Sequence, residues 1–158
     1  MCIRDRGDYA RAEPLYLEAK KVYAKVFGTK HPAYATTLNN LAGLYEKMGD
    51  YARAEPLYLE AKKIRAKVLG TKHPDYANSL NNLAVLYEKM GDYARAEPLY
   101  LEAKKVYAKV LGTKHPDYAN TLNNLAGLYE KTGDDTRAQS LHLELKRIRR
   151  KALSKEDK

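Results

Sequence analysis

The sequence predicts an all-α solenoid, a stack of antiparallel helix hairpins. Two observations carry that prediction. A thirteen-residue stretch is written three times, as LNNLAGLYEKMGD at Leu38–Asp50, LNNLAVLYEKMGD at Leu80–Asp92 and LNNLAGLYEKTGD at Leu122–Asp134, with starts 42 residues apart. Within each period, apolar residues recur at helical spacing between Gly-Asp and His-Pro punctuation, with no alternating strand pattern. Such a period overrides chain length as a guide to organisation, because stacked repeats fold as one quasi-linear unit.

Taken in order, Met1–Arg6 does not fit the repeat and reads as an N-terminal extension or sequence scar. Gly7–Gly28 is the first copy of a helix termed B. Gly7-Asp8 should turn the chain, with Asp8 capping. Tyr9, Ala12, Leu15, Tyr16, Ala19, Val22, Tyr23 and Val26 then form one stripe. Gly28 suits a helix C-terminus. Pro14, repeated as Pro56 and Pro98, removes one backbone bond early in each B helix and should bend it. This first B helix has no preceding partner, so its stripe should be partly uncovered. The chain accordingly reads as a fragment of a longer array.

Three hairpins follow, over residues 31–70, 73–112 and 115–153, each a helix A and a helix B. His31-Pro32 opens the first A helix: proline suits the first helical position, and His31 or Thr29 can occupy the cap region. Tyr34, Leu38, Leu41, Ala42 and Tyr45 form its apolar stripe. Thr36, Asn39, Gly43 and Glu46 lie on a different stripe, with Asn40 and Lys47 beside it. The unit from Gly49 differs from the unit from Gly91 at five positions, Ile64/Val106, Arg65/Tyr107, Ser79/Thr121, Val85/Gly127 and Met90/Thr132. The last B helix is degenerate, with Thr136, Gln139, Ser140 and His142 where other copies have Ala, Glu, Pro and Tyr. A more polar final helix is what a solenoid needs to stop stacking. Residues 154–158 read as a frayed tail, which leaves 7–153 as a single solenoid.

Composition narrows the function classes. The net charge is +9, but the three full units carry only +2, +2 and +1, with acids interleaved among the lysines. That is a solvated helix surface rather than a nucleic-acid footprint. The basic cluster Lys146, Arg147, Arg149, Arg150 and Lys151 belongs to the final helix. No apolar run can span a membrane, and no secretory signal is visible. The single cysteine, Cys2, excludes an intrachain disulfide and fits a reducing, cytoplasmic setting. His31, His73 and His115 sit at equivalent positions 42 residues apart, which spaces them as structural repeats rather than as metal ligands or a catalytic triad. No phosphate-cradling loop or lone nucleophile stands out. No cofactor, metal or catalytic residue is expected. The fourteen tyrosines fall mostly on the apolar stripes, so core packing explains them better than base stacking.

Leu38, Leu41, Ala42 and Tyr45, followed by Ala54 and Tyr58, match the W-x2-L-G-x2-Y and A-x3-F signature of tetratricopeptide repeats, with Leu38 in place of the tryptophan. The proline comes late, at Pro74 rather than at the Ala66 position of a 34-residue repeat, so helix B and its loop are longer. The 42-residue form, with Leu69-Gly70, His73-Pro74, Leu80–Ala84, Leu86-Tyr87, Gly91 and Ala96–Tyr100, closely resembles the repeats of kinesin light chains and their bacterial counterparts. That resemblance implies a right-handed superhelix whose A helices line a concave groove for a peptide or partner protein. It assigns to the groove Thr36, Asn39, Asn40, Gly43, Glu46 and Lys47, then Asn78, Asn81, Asn82, Val85, Glu88 and Lys89, then Asn120, Asn123, Asn124, Gly127, Glu130 and Lys131. An asparagine amide both donates and accepts, so stacked copies could pair with a peptide backbone whatever its side chains. The same amides could instead bridge neighbouring A helices. Mid-helix Gly43 and Gly127 cost about 1 kcal/mol each against alanine, a cost that room for a ligand would offset. Two other readings stay open: assembly with further copies through the uncovered first helix, and a nucleic-acid-binding array, which the mild charge does not favour.

Overall fold

The computed structural model describes residues 3–153, with side chains over 9–150. Seven α-helices and no strand occur among the described residues. They fall into two compact units. The first, residues 1–71, contains α1 (Ile3–Phe27), α2 (Pro32–Met48) and α3 (Tyr51–Val68). The second, residues 72–158, contains α4 (Pro74–Lys89), α5 (Tyr93–Val110), α6 (Pro116–Thr132) and α7 (Asp135–Leu153). The A helices are α2, α4 and α6, and each packs on the B helix that follows it, α3, α5 and α7. Within the units, α1 also packs on α2, and α5 and α4 on α6.

Local chemistry sets the ends of these helices. His31, His73 and His115 are the N-caps of the A helices. In each, imidazole Nδ1 accepts the backbone N–H two residues on, at 3.1, 3.1 and 3.2 Å, and proline fills the first helical position. Gly49 and Gly133 close α2 and α6 at φ +79° and +76°, where an L side chain would be strained. Asp50, Asp92 and Asp134 then accept the N–H of the arginine three residues on, at 3.0–3.1 Å, and satisfy an orphan donor of the next helix. α3 and α5 continue through Pro56 and Pro98.

The first Gly-Asp step is a correction. α1 runs unbroken through Gly7-Asp8, so these residues neither turn the chain nor cap a helix. Elsewhere Gly-Asp reverses the chain between a packed A helix and its B helix. Here Ile3–Arg6 holds no helix breaker and continues in helical form, and propagating a helix is easier than nucleating a new one. Met1, Cys2 and the tail 154–158 lie outside the described residues.

The apolar stripes form the core. In the first unit Tyr34, Ala35 and Leu38 of α2 bury against Ala61 and Ile64 of α3, with Tyr23 and Ala24 of α1 packed beside them. In the second unit Leu80, Leu83 and Leu86 of α4, Tyr100 of α5 and Leu122, Leu125 and Leu128 of α6 are at most 1% exposed. Alanines at 42, 54, 84 and 96 are fully buried, where a larger side chain would hold the paired helices apart.

Candidate functional site

The stripe assigned to the groove lies on α2, α4 and α6, and its members have different surroundings. In the first unit, Thr36 and Asn40 are exposed, and Asn39 and Gly43 are half-buried. Thr36 and Asn40 line a cavity of about 360 Å³ with Tyr16, Ala19 and Tyr23 of α1. Thr36 Oγ1 accepts from Arg65 Nη2 at 3.2 Å. In the second unit, Asn82 Nδ2 donates to Asn78 Oδ1 one turn back at 3.4 Å. The Asn81 amide oxygen is enclosed and meets no hydrogen-bond donor. Its equivalent Asn123 is exposed and lines a cavity of about 600 Å³ with Gln139, His142, Leu143, Leu145, Lys146 and Arg149 of α7. The side-chain amides of Asn120, Asn123 and Asn124 make no hydrogen bond among the described residues. Their donors and acceptors therefore remain available.

The acidic members of the stripe, and Lys131, are in structural use. Tyr58 Oη donates to Glu46 Oε2 at 2.9 Å and Tyr100 Oη to Glu88 Oε2 at 2.8 Å, each from the B helix of the same hairpin. His142 replaces the tyrosine in the last hairpin and meets Glu130 Oε1 at 2.8 Å. Glu88 also receives Lys131 Nζ at 2.6 Å, which ties α6 to α4. Lys47, Lys89 and Lys131 are exposed. A side chain at Gly127 would enter open space, and a Cβ at Gly43 would come 3.4 Å from Tyr58 Oη. Neither glycine is forced by close packing, and Val85 occupies the same position in α4.

The sequence reading missed a set of phenol–carboxylate pairs that join neighbouring helices. Tyr45 Oη and Arg53 Nη1 both donate to Glu13 Oε1, at 2.9 and 2.8 Å, while the Arg53 guanidinium lies 4.1 Å from the Tyr45 ring centroid. Tyr129, Arg137 and Glu97 repeat the arrangement in the second unit. At the other end of the hairpins, Tyr76 donates to Glu102 at 3.0 Å and Tyr118 to Glu144. Burial, and the carboxylate that accepts each proton, push these phenols up from 10.0, to about 12 for Tyr76 and strongly upward for Tyr58 and Tyr118. Hydrogen bonds from Arg53, Arg95 and Arg137 hold Asp50, Asp92 and Asp134 below the usual aspartate range. The pairing recurs at separations of 12, 26 and 32 residues, and that regularity in Tyr and Glu placement was the available signal.

The three histidines are caps 42 residues apart, and the described residues hold no cluster of three or more His, Cys, Asp or Glu suited to a metal ion. Among the described residues, no helix is long and apolar enough to cross a membrane.

The sequence profile of the tetratricopeptide repeat matches residues 1–67, 37–109 and 75–151. No curated protein matches. Among solved structures, BtubC (BKLC) from P. vanneervenii is similar over 92% of this chain, at 28% identity and a TM-score of 0.84, and this chain spans 58% of its length. The nearly identical TPR-like repeats of a kinesin light chain-type protein from Podosopora anserina are similar over 94% of this chain and 70% of that one, at 27% identity and a TM-score of 0.79.

Proposed function

The chain belongs to the tetratricopeptide repeat family, and on that premise we propose that it is a non-catalytic interaction module whose A helices hold a peptide segment or partner protein. Repeats of this family mediate protein–protein interaction. The observation that carries the finer reading is the row Asn120, Asn123 and Asn124 on α6, whose amides have no partner among the described residues, with Asn123 lining the cavity of about 600 Å³ against α7. Leu143 and Leu145 give that cavity an apolar wall, and Gln139, Lys146 and Arg149 give it a polar and basic one. A few placed polar groups on a largely apolar concavity are what an extended peptide needs: amides for its backbone, leucines for a side chain, cations for an acidic residue. The stripe on α2 presents Asn40 in the same way, whereas the amide oxygen of Asn81 is enclosed and not presented to a ligand. Glu46, Glu88 and Glu130 shape the surface through their pairs with Tyr58, Tyr100 and His142 and are not free to meet a ligand with both oxygens.

A peptide-array screen tests this reading. The chain is compared with a variant in which Asn120, Asn123 and Asn124 are all alanine. Because the three amides make no internal bond, the variant should keep its helicity and thermal midpoint. Peptides retained by the chain should be released by the variant. An unchanged binding profile with the fold intact would sink the proposal.

A further inference from the structure

The positive charge of the chain is concentrated in one part of each repeat. The segments 18–30, 60–72 and 102–114 run from the middle of a B helix into the loop before the next A helix. They carry +3, +4 and +3, each with a single glutamate, while the rest of each 42-residue unit is net acidic at −1, −2 and −2. Pairing sharpens the division. Arg53, Arg95 and Arg137, beside the Gly-Asp turns, are each bound to an aspartate. Lys30, Lys63 and Lys67 make no hydrogen bond or ion pair among the described residues. In the first unit these three lysines line a cavity of about 300 Å³ with Glu60, Ile64 and Val68. Lys30 comes from the loop between α1 and α2, and the other five come from α3. Ile64 is packed under α2, and Val68 is 46% exposed. Its counterpart Val110 is 45% exposed although α4 and α6 both pack on α5, so this exposure belongs to the repeat and not to a place in the chain. Glu60 makes no hydrogen bond among the described residues, whereas its counterpart Glu102 accepts from Tyr76 Oη.

We propose that this cavity takes an acidic peptide segment in which one apolar side chain lies between carboxylates. Lys30, Lys63 and Lys67 receive the carboxylates, since like charges around a concavity focus their field and concentrate an anion there. Ile64 and Val68 receive the apolar side chain and remove it from water. Glu60 decides between classes of anion. A carboxylate beside the bound ligand needs a donor: a peptide backbone brings N–H groups, whereas a phosphodiester chain brings none and is repelled. The lysines are compact hydrated charges, and no arginine or aromatic ring lines the cavity to hold a nucleic-acid base. A recess between a loop and a helix admits a side chain, where a bilayer surface would stay outside it. The second unit has the same residue types at Lys72, Glu102, Lys105, Val106 and Lys109, but Tyr76 already engages Glu102, which makes that unit a control for charge alone. The cavity is separate from the α6 row, so changing Asn120, Asn123 and Asn124 leaves it unaltered, and the two proposals fail independently.

The probe is a short labelled peptide with one leucine between pairs of glutamates, titrated into the full chain by fluorescence anisotropy. The expected result is saturable binding that weakens as salt rises and is unchanged when Asn120, Asn123 and Asn124 are alanine. Lys63→Glu with Lys67→Glu alters exposed side chains and should keep the fold while weakening binding about tenfold or more, the loss of charge-assisted hydrogen bonds. Lys105→Glu with Lys109→Glu makes the same change of charge in the second unit and should leave binding within about twofold. Val68→Thr should weaken the leucine peptide about fourfold, the worth of one buried methylene, and leave a peptide with serine in place of leucine unaffected. Equal losses from the two lysine pairs would overturn the proposal, because diffuse charge would then account for binding. So would the absence of saturable binding, or a loss of binding in the asparagine variant. An oligothymidylate or a phosphatidylserine vesicle that binds more tightly than the peptide, and is released by Lys63→Glu with Lys67→Glu, would also overturn it, by giving the lysines to nucleic acid or to a membrane.

Discussion

Tyr100→Phe isolates one phenol–carboxylate pair and makes its contribution measurable. Tyr100 is 0% exposed, and its hydroxyl donates to Glu88 Oε2 at 2.8 Å. The substitution keeps the ring and its packing and removes one donor. A hydrogen bond to a charged group is worth about 1.5–3 kcal/mol. Glu88 is 14% exposed and keeps Lys131 on its other oxygen, so the carboxylate is not stranded and the lower half of the range applies, about 1.5–2 kcal/mol. For a chain of this length that is a fall in Tm of about 3–8 °C. Urea unfolding followed by circular dichroism gives the free energy directly, and a double-mutant cycle with Glu88→Gln gives the coupling, expected at about 1 kcal/mol or more. Lys131→Met provides the contrast. Its amine is only 2.6 Å from Glu88, but the lysine side chain is 53% exposed, so water and salt screen the pair and its loss should cost under about 1 kcal/mol. A Tyr100→Phe chain within about 0.5 kcal/mol of the parent would refute the reasoning, because the pair would then add nothing beyond packing.

Further outcomes follow from the same contacts. The phenol of Tyr76 keeps its proton in the folded chain up to about 12 but loses it near 10.0 when unfolded, so stability is full below pH 10 and falls as pH rises toward 12. Tyrosinate absorbance in the native chain should develop late, and Tyr76→Phe should shallow the alkaline limb of the unfolding midpoint. At the acid end the depressed Asp50, Asp92 and Asp134 give the opposite sign: their stabilisation is lost as pH falls below the ordinary aspartate value of 3.8. Gly127→Ala should stabilise the chain by about 0.5–1 kcal/mol, because its Cβ meets open space in mid-helix. Gly43→Ala should gain less, since Tyr58 Oη is 3.4 Å away, and equal gains measured by urea unfolding would contradict this. His73→Ala should cost about 1 kcal/mol through loss of the α4 cap, with His73→Asn retaining most of it.

Much of the fold is legible in the residues. The 42-residue period, the His-Pro starts and the Gly-Asp turns place six of the seven helix starts, and Tyr34, Leu38, Leu41 and Tyr45 are recognisable as core from their spacing. Gly7-Asp8 misleads because a turn signal acts only where the chain must reverse, and α1 passes through it. The carboxylates were harder. Glu46 and Glu88 look like solvent-facing charges of an A helix, and only the approach of Tyr58 and Tyr100 from the facing helix gives them partners. The asparagine row shows the limit of a repeat-based reading: Asn81 and Asn123 sit in the same Leu-Asn-Asn-Leu-Ala run, yet one has an enclosed amide oxygen and the other lines an open cavity. Burial depends on what stacks above a residue, which its own repeat does not encode.

The near-identity of the hairpin contacts has a consequence for how the chain finds its partners while folding. Tyr58 with Glu46 and Tyr100 with Glu88 are chemically interchangeable, so the contacts themselves scarcely distinguish α2 on α3 from α2 on α5. Discrimination falls to connectivity. Two residues, Gly49 and Asp50, separate α2 from α3, and two, Gly133 and Asp134, separate α6 from α7. Closing so short a loop rather than one a full repeat longer favours the local pairing by about 2–3 kcal/mol, a preference of roughly a hundredfold. Lengthening those two-residue turns would erode that margin and favour exchange of A helices between hairpins, and between chains.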